Sequence, residues 1–263
     1  MTSAIPEQAY SSLAKRLGGG SGLLTGWVGI PDPLIAGLIA REGVDAVTLD
    51  MQHGAMDLAC VVQTVPHVAV TGKPVLVRIP VGDFATASRV LDLGVSGIIA
   101  PMVNSVEDAR ALVQFTKFPP LGQRSWGPAL AMNLSGLKPG EYLAQANALT
   151  TTLAMIETRE ALAALDDILA VPGIDGVLVG PSDLSIALSN GGHVDAGHAD
   201  VWTALDHTVA RCRAHKKASA VFSMDGKRAH ELLRRGFDLI ALSNDVIQLR
   251  AGVRAMVEDA RRT

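Results

Sequence analysis

Eight short runs rich in β-branched and aliphatic residues recur along the chain, each separated from the next by a longer stretch with apolar residues at helical spacing. No other feature restricts the fold as much. The runs are Leu24–Ile30, Ala46–Asp50, Pro74–Ile79, Gly97–Pro101, Thr152–Glu157, Gly176–Gly180, Ala218–Ser223 and Leu239–Asn244. Between them the spacing predicts helices over Asp32–Gly43, Phe84–Leu93, Val106–Phe115 and Arg159–Ala170, with a last helix over Val246–Arg262. Strands that alternate with helices call for a parallel sheet covered by helices. Eight such units favour a closed (β/α)8 barrel, an α/β fold, over an open doubly wound sheet. The length of 263 residues suits one barrel of roughly 250. Hydrophobic residues make up 48% and aromatics only 4%, so the core must be aliphatic, as buried parallel strands require.

Glycines mark several expected helix ends before a strand, at Gly43, Gly94 and Gly236. Two stretches break the rhythm: residues 119–150, with repeated Pro and Gly, and residues 190–199, which hold His193 and His198. Both are expected to crown the catalytic face or to bridge subunits. No linker divides the chain, so residues 1–263 are expected to form a single domain, with a lead-in over 1–22 and a C-terminal helix over 246–263. With 23 basic and 26 acidic residues the formal net charge is -3, and no basic block marks a nucleic-acid or membrane surface. The stretch from Met1 to Gly20 does not read as a secretory signal, and no apolar run in the sequence is long enough to cross a membrane. Cys60 and Cys212 read as small core residues. A soluble, cytoplasmic protein is the expectation.

In a barrel of this kind the chemistry sits where strands end at the C-terminal face. Strand two ends in Asp50-Met51-Gln52-His53, strand three in Arg78, strand five in Glu157, and strand six runs into Pro181-Ser182-Asp183. One histidine, one arginine and two carboxylates thus converge on one mouth. Glu157 and Asp183 either share a proton, share a cation, or cap the helices that follow them. Two carboxylates with room for water suit a hard octahedral ion such as Mg2+ or Mn2+. No spacing for a zinc site is present. Arg78 either binds an anionic substrate oxygen or pairs with a barrel carboxylate such as Glu157. His53 is a base or a packed histidine. The backbone N–H groups around Ser182 open a helix and could receive a carboxylate. No lysine falls at the mouth: Lys73, Lys216 and Lys217 precede strands, and Lys15, Lys117, Lys138 and Lys227 fall on surface helices or loops. That argues against an imine mechanism.

Several segments together resemble the HpcH/HpaI aldolase family of class II, pyruvate-dependent aldolases. They are LDMQHG from Leu49, VRIP from Val77, LDLG from Leu91 followed by GIIAPMVNSVEDAR, PPLGQRSWGP from Pro119, AMIETREAL from Ala154 and GVLVGPSDLS from Gly176. The resemblance is strongest to 4-hydroxy-2-oxoheptanedioate and hydroxy ketoacid aldolases. It implies a divalent metal (Mg2+, Mn2+ or Co2+) on Glu157 and Asp183, Arg78 at the oxo or enolate oxygen, and His53 paired with Asp92 to move a proton. It also implies a carboxylate held at Ser182 and Asp183, Trp27 in the wall, and a homohexamer with an exchanged C-terminal helix. Substrates would be pyruvate and an aldehyde, with Arg124 either receiving a distal anionic group or forming an interface ion pair. Two positions depart from the family pattern. Gln52 stands where many members have Glu, and Met155 where many have Gln. The rival readings are another metal-dependent lyase of the superfamily, a decarboxylase or CoA-thioester lyase, and a barrel without catalysis.

Overall fold

The computed structural model describes residues 13–18 and 22–262. Its eight strands are β1 (Leu23–Val28), β2 (Ala46–Asp50), β3 (Val75–Arg78), β4 (Gly97–Ala100), β5 (Thr151–Ile156), β6 (Gly176–Val179), β7 (Ala218–Ser223) and β8 (Leu239–Asn244). They close into a barrel in sequence order, and every neighbouring pair is parallel. All eight expected strands are present, with boundaries shifted by no more than two residues. The barrel is an α/β fold in which each strand is buried by helices outside and packed side chains within.

Leu23, Trp27, Leu76, Ile99, Leu153, Met155, Leu178 and Leu239 fill the interior of the barrel. Leu13 closes its lower end and is 1% exposed. Residues 13–16 are helical; most of the expected lead-in, residues 1–12 and 19–21, lies outside the described residues. Helix ends follow the glycine signals. Gly236 takes φ +94° after the helix Gly226–Arg235, a left-handed turn that only glycine adopts freely. The helix expected over Arg159–Ala170 is two shorter ones, Arg159–Ala163 and Leu165–Ala170, broken at Ala164.

Residues 119–150 do not crown the catalytic face of their own chain. They lie between the helix Val106–Thr116 and β5, so they serve the N-terminal face and not the catalytic one. Two helices, Ala129–Ser135 and Pro139–Leu149, organise them around a satellite core of Phe118, Ala131, Tyr142, Ala146 and Leu149. A strand-to-helix loop reaches the mouth, whereas a helix-to-strand loop returns to the floor. Lys117 is likewise no surface lysine. It is fully buried at the same face, donating to the Asn147 carbonyl (2.9 Å), the Thr150 carbonyl (2.6 Å) and Asp175 Oδ2 (2.7 Å).

The last helix, Asp245–Ala260, buries only Asp245. Its exposed residues include Ile247, Leu249, Val253, Met256 and Val257. No helix of the described residues is long and apolar enough to cross a membrane.

Candidate active site

A cavity of about 490 Å³ opens at the C-terminal ends of the strands. Six of the eight residues singled out from the sequence line it: Trp27, His53, Arg78, Glu157, Ser182 and Asp183. Each arrives by the strand-end rule, because the last residue of a parallel strand and the first of its loop point into the mouth.

Asp50 and Arg78 are register partners at the ends of β2 and β3. Their side chains therefore meet across one ladder step. Arg78 Nε donates to Asp50 Oδ1 (2.8 Å) and Nη2 to Oδ2 (2.6 Å), a bidentate pair. Trp27 Nε1 donates to Oδ2 (3.1 Å), and the backbone N–H groups of Gln52 (3.0 Å) and His53 (3.2 Å) donate to Oδ1. Burial alone would raise the Asp50 carboxyl; Arg78 and these donors outweigh it, and its pKa ends below the usual value. Arg78 also lies over the Trp27 ring, 4.9 Å from its centroid. The arginine pairs with Asp50, not with Glu157, and its Nη1 has no partner among the described residues.

Glu157 follows β5 and is 2% exposed. It caps no helix: Thr158 does that, its side chain accepting from Ala161 N. Glu157 Oε2 instead accepts from the N–H of Met102 (3.1 Å). Met102 holds a left-handed φ of +55° to aim that N–H, a strained backbone of the kind found at functional sites. Burial pushes the Glu157 pKa up to about 7, and the charge of Asp183 adds to the rise, while the Met102 N–H and Arg78 oppose it. A Cβ at Gly180 would come 2.3 Å from Glu157 Oε1, so only glycine leaves room for this carboxylate. Asp183 sits in the first turn of the helix Pro181–Leu188, whose N-cap is Gly180 with no side-chain bond. It is therefore not the cap. The N–H groups of Ser182 and Asp183 belong to that open first turn, where no intrahelical acceptor exists. Among the described residues no group of three or more His, Cys, Asp or Glu side chains converges as a closed metal cage.

Two expected residues lie elsewhere. Asp92 ends the helix Phe84–Asp92, which leads down to β4, so it lies at the floor. Its Oδ1 accepts from Arg124 Nη2 (2.6 Å), and within one chain it does not meet His53. Arg124 is buried, with its guanidinium 4.6 Å from the Phe118 ring centroid, and takes no part in the cavity. Both placements share a cause: short motifs carry no record of which end of the barrel they reach within one chain. His193 and His198 pack on each other (4.9 Å between centroids) and do not line the cavity.

Three contributors were missed. Asp50 was visible by the same strand-end rule. Phe222, from β7, packs edge-on against Trp27 at 5.3 Å. Asp245 follows β8 and accepts from the N–H groups of Gly29 (3.1 Å) and Ile30 (2.8 Å), tying the first and last loops together. A bulge makes this possible: the β1–β8 register skips Ser243, which has φ +47°. Of the two departures from the family pattern, Met155 lines the cavity; Gln52 does not, and its Oε1 is buried without a hydrogen-bond partner among the described residues.

The family model for HpcH/HpaI aldolase/citrate lyase matches residues 24–251. The chain belongs to the HpcH/HpaI family. A hydroxypyruvate/pyruvate aldolase of Rhizorhabdus wittichii is 40% identical over 239 residues, 90% of this chain and 94% of the relative. A 4-hydroxy-2-oxo-heptane-1,7-dioate aldolase of Klebsiella pneumoniae is 32% identical over 230 residues, 88% and 86% of the two chains. The crystal structure of an HpcH/HpaI aldolase from Desulfitobacterium hafniense superposes with a TM-score of 0.88 at 28% identity, covering 95% of this chain and 97% of that one. The cavity of this HpcH/HpaI chain thus lies within the matched region, and every residue named as lining it falls between 24 and 251.

Proposed function

We propose that this chain is a divalent-metal-dependent aldolase: it joins the enolate of pyruvate, or of a close 2-oxo acid, to an aldehyde and cleaves 4-hydroxy-2-oxo acids in reverse. The observation that carries the reading is geometric: Glu157, 2% exposed, lines the mouth cavity together with a second carboxylate, Asp183. A bound cation would relieve both burial and repulsion. Two carboxylates are too few for a closed cage but fit a hard ion that keeps water and substrate oxygens in its shell, so Mg2+ or Mn2+ is favoured, with Co2+ a third candidate. When bound at Glu157 and Asp183, such an ion would polarise the 2-oxo group and acidify the neighbouring C–H bonds.

The other roles belong to the chain's own residues. The N–H groups of Ser182 and Asp183 hold the substrate carboxylate. Arg78 Nη1 donates to the C2 oxygen, and its charge is worth most when the enolate forms. In cleavage, the 4-hydroxyl proton passes to His53 and the C3–C4 bond breaks. Its electron pair becomes the C2–C3 double bond, and the aldehyde leaves. Protonation at C3 then gives pyruvate. Trp27 keeps one wall dry and positions Asp50, which in turn fixes Arg78.

Pyruvate release from a 4-hydroxy-2-oxo acid tests the reading, with the protein first treated with EDTA and then supplied with Mg2+ or Mn2+. Loss on chelation and recovery on addition are expected. Full activity after exhaustive chelation would remove the metal from the proposal. Two further parts of the reading are a homohexamer and a cytoplasmic setting. The apolar residues exposed along Asp245–Ala260 support exchange of that helix between subunits, which light scattering of the intact and truncated chains would test. Two buried free thiols, Cys60 and Cys212, fit a reducing compartment.

A further inference from the structure

The mouth loops after β1, β2 and β8 are joined into one frame, and Asp245 is its outermost tie. This residue is 3% exposed. The last helix does not need its side chain, because Asn244 caps that helix, accepting from Ile247 N (2.9 Å). The Asp245 carboxylate instead turns back across the seam between β8 and β1. Its Oδ1 accepts from the N–H groups of Gly29 (3.1 Å) and Val246 (3.0 Å), and its Oδ2 from those of Gly29 (3.1 Å) and Ile30 (2.8 Å). A buried carboxylate is costly unless its oxygens are filled, and here both are filled by main-chain donors. These contacts lie within one barrel, between strand ends that its own closure brings together.

The loop that Asp245 clamps is the one on which the His53 loop rests. The Gly29 carbonyl accepts from the Ala55 N–H (2.9 Å). The two backbones also touch: a Cβ at Gly54 would come 2.8 Å from Gly29 Cα, and one at Gly29 would come 3.3 Å from Gly54 Cα. On the other side of His53, its own N–H donates to Asp50 Oδ1 (3.2 Å). The His53 main chain is thus fixed from two directions. Asp50, the anchor before it, is pinned by Arg78. Gly29, the anchor after it, is pinned by Asp245. Gly29 and Gly54 have no slack between them, so a shift of the first moves the second, and His53 with it. Misplacing a reacting group by about 1 Å costs on the order of 100-fold in rate.

Resting on the aldolase reading above, we propose that Asp245 is a positioning residue for His53: through the Gly29–Gly54 contact it holds the imidazole where it takes the 4-hydroxyl proton of a 4-hydroxy-2-oxo acid. The clamp needs a carboxylate because it uses acceptors on both oxygens. A carboxamide of the same shape has one acceptor oxygen, and its NH2 group would face a main-chain N–H. Asp245→Asn therefore keeps the volume and loosens the tie.

The test measures cleavage of a 4-hydroxy-2-oxo acid by the Mg2+- or Mn2+-supplied enzyme. In Asp245→Asn, kcat should fall roughly tenfold to 100-fold while KM stays within about threefold, because Arg78 and the Ser182 N–H groups keep their places. The deciding readout is the same substitution made in His53→Ala. With the imidazole gone its placement is worth nothing, so Asp245→Asn should there lower kcat by less than about twofold. A residue that only supports the fold would cost the same factor in both backgrounds. Gly29→Ala presses on Gly54 without touching Asp245; it should show the same pattern, and it decides the matter if Asp245→Asn does not fold. Equal losses with and without His53, or full activity in Asp245→Asn, overturn the proposal. No pyruvate from the unsubstituted enzyme overturns the aldolase reading itself, a result distinct from equal losses.

Discussion

Two buried cations stand at opposite ends of one barrel and are bound in opposite ways. At the floor, Lys117 has three protons and three acceptors: two main-chain carbonyls and Asp175. At the mouth, Arg78 gives two nitrogens to Asp50 and keeps a third toward an open cavity. The floor cation is saturated, so it can only hold structure. The mouth cation is held rigid by its partner yet remains able to bind. Burial is similar at both ends; what separates a clamp from a binding group is whether a donor is left over.

The sharpest way to break this contrast is Arg78→Gln. Its kcat/KM for retro-aldol cleavage should fall about 10³-fold, or about 4 kcal/mol in transition-state stabilisation. Its melting temperature should shift less than that of a floor variant, because Asp50 keeps the N–H donors of Trp27, Gln52 and His53. A variant that melts early yet retains activity would reverse the assignment.

Lys117→Met is the counterpart. It leaves two carbonyls and Asp175 without their shared donor, a loss of about 3–5 kcal/mol and about 10 °C in melting temperature. The steady-state constants of the surviving folded protein should hold within about threefold, a change worth under 1 kcal/mol. Thermal melts and kinetics below the transition check both halves.

The smallest effect concerns pH. Glu157 goes from 4.5 to about 7 on folding. As pH rises between those values the unfolded chain gives up this proton while the folded one keeps it, so stability of the EDTA-treated protein falls across that window and levels off above it. The total is on the order of 3 kcal/mol. Denaturant melts at a series of pH values measure it, and Glu157→Gln should remove that slope. An unchanged slope in the variant would assign the titration to another group.

The barrel was legible in the sequence because both of its signals are local. Ala46–Asp50 and Gly176–Val179 are short apolar runs, and Gly43, Gly94 and Gly236 sit where a left-handed turn must end a helix. Most of the site was legible for the same reason: Arg78 and Glu157 are strand-end residues, and strand ends define the mouth. Asp92 and Arg124 pair with each other at the floor of the single chain, away from His53; a motif shared with a family states that residues matter, not that they meet in one chain. Lys117 looked like surface because nothing local tells a lysine that Asn147, Thr150 and Asp175 will close around it.

By itself, then, the order of residues determined eight parallel strands, their helices and the side chains that point from the catalytic rim, since these depend on interactions within a few residues. Only the closed barrel decided the rest. It brought β2 beside β3 so that Asp50 could pin Arg78, and it carried β8 back to β1 so that Asp245 could fasten the first loop. It also set Met102 against Glu157 across 55 residues of chain. Those contacts pair groups far apart in sequence, and their existence depends on closure of the sheet, which no local pattern encodes.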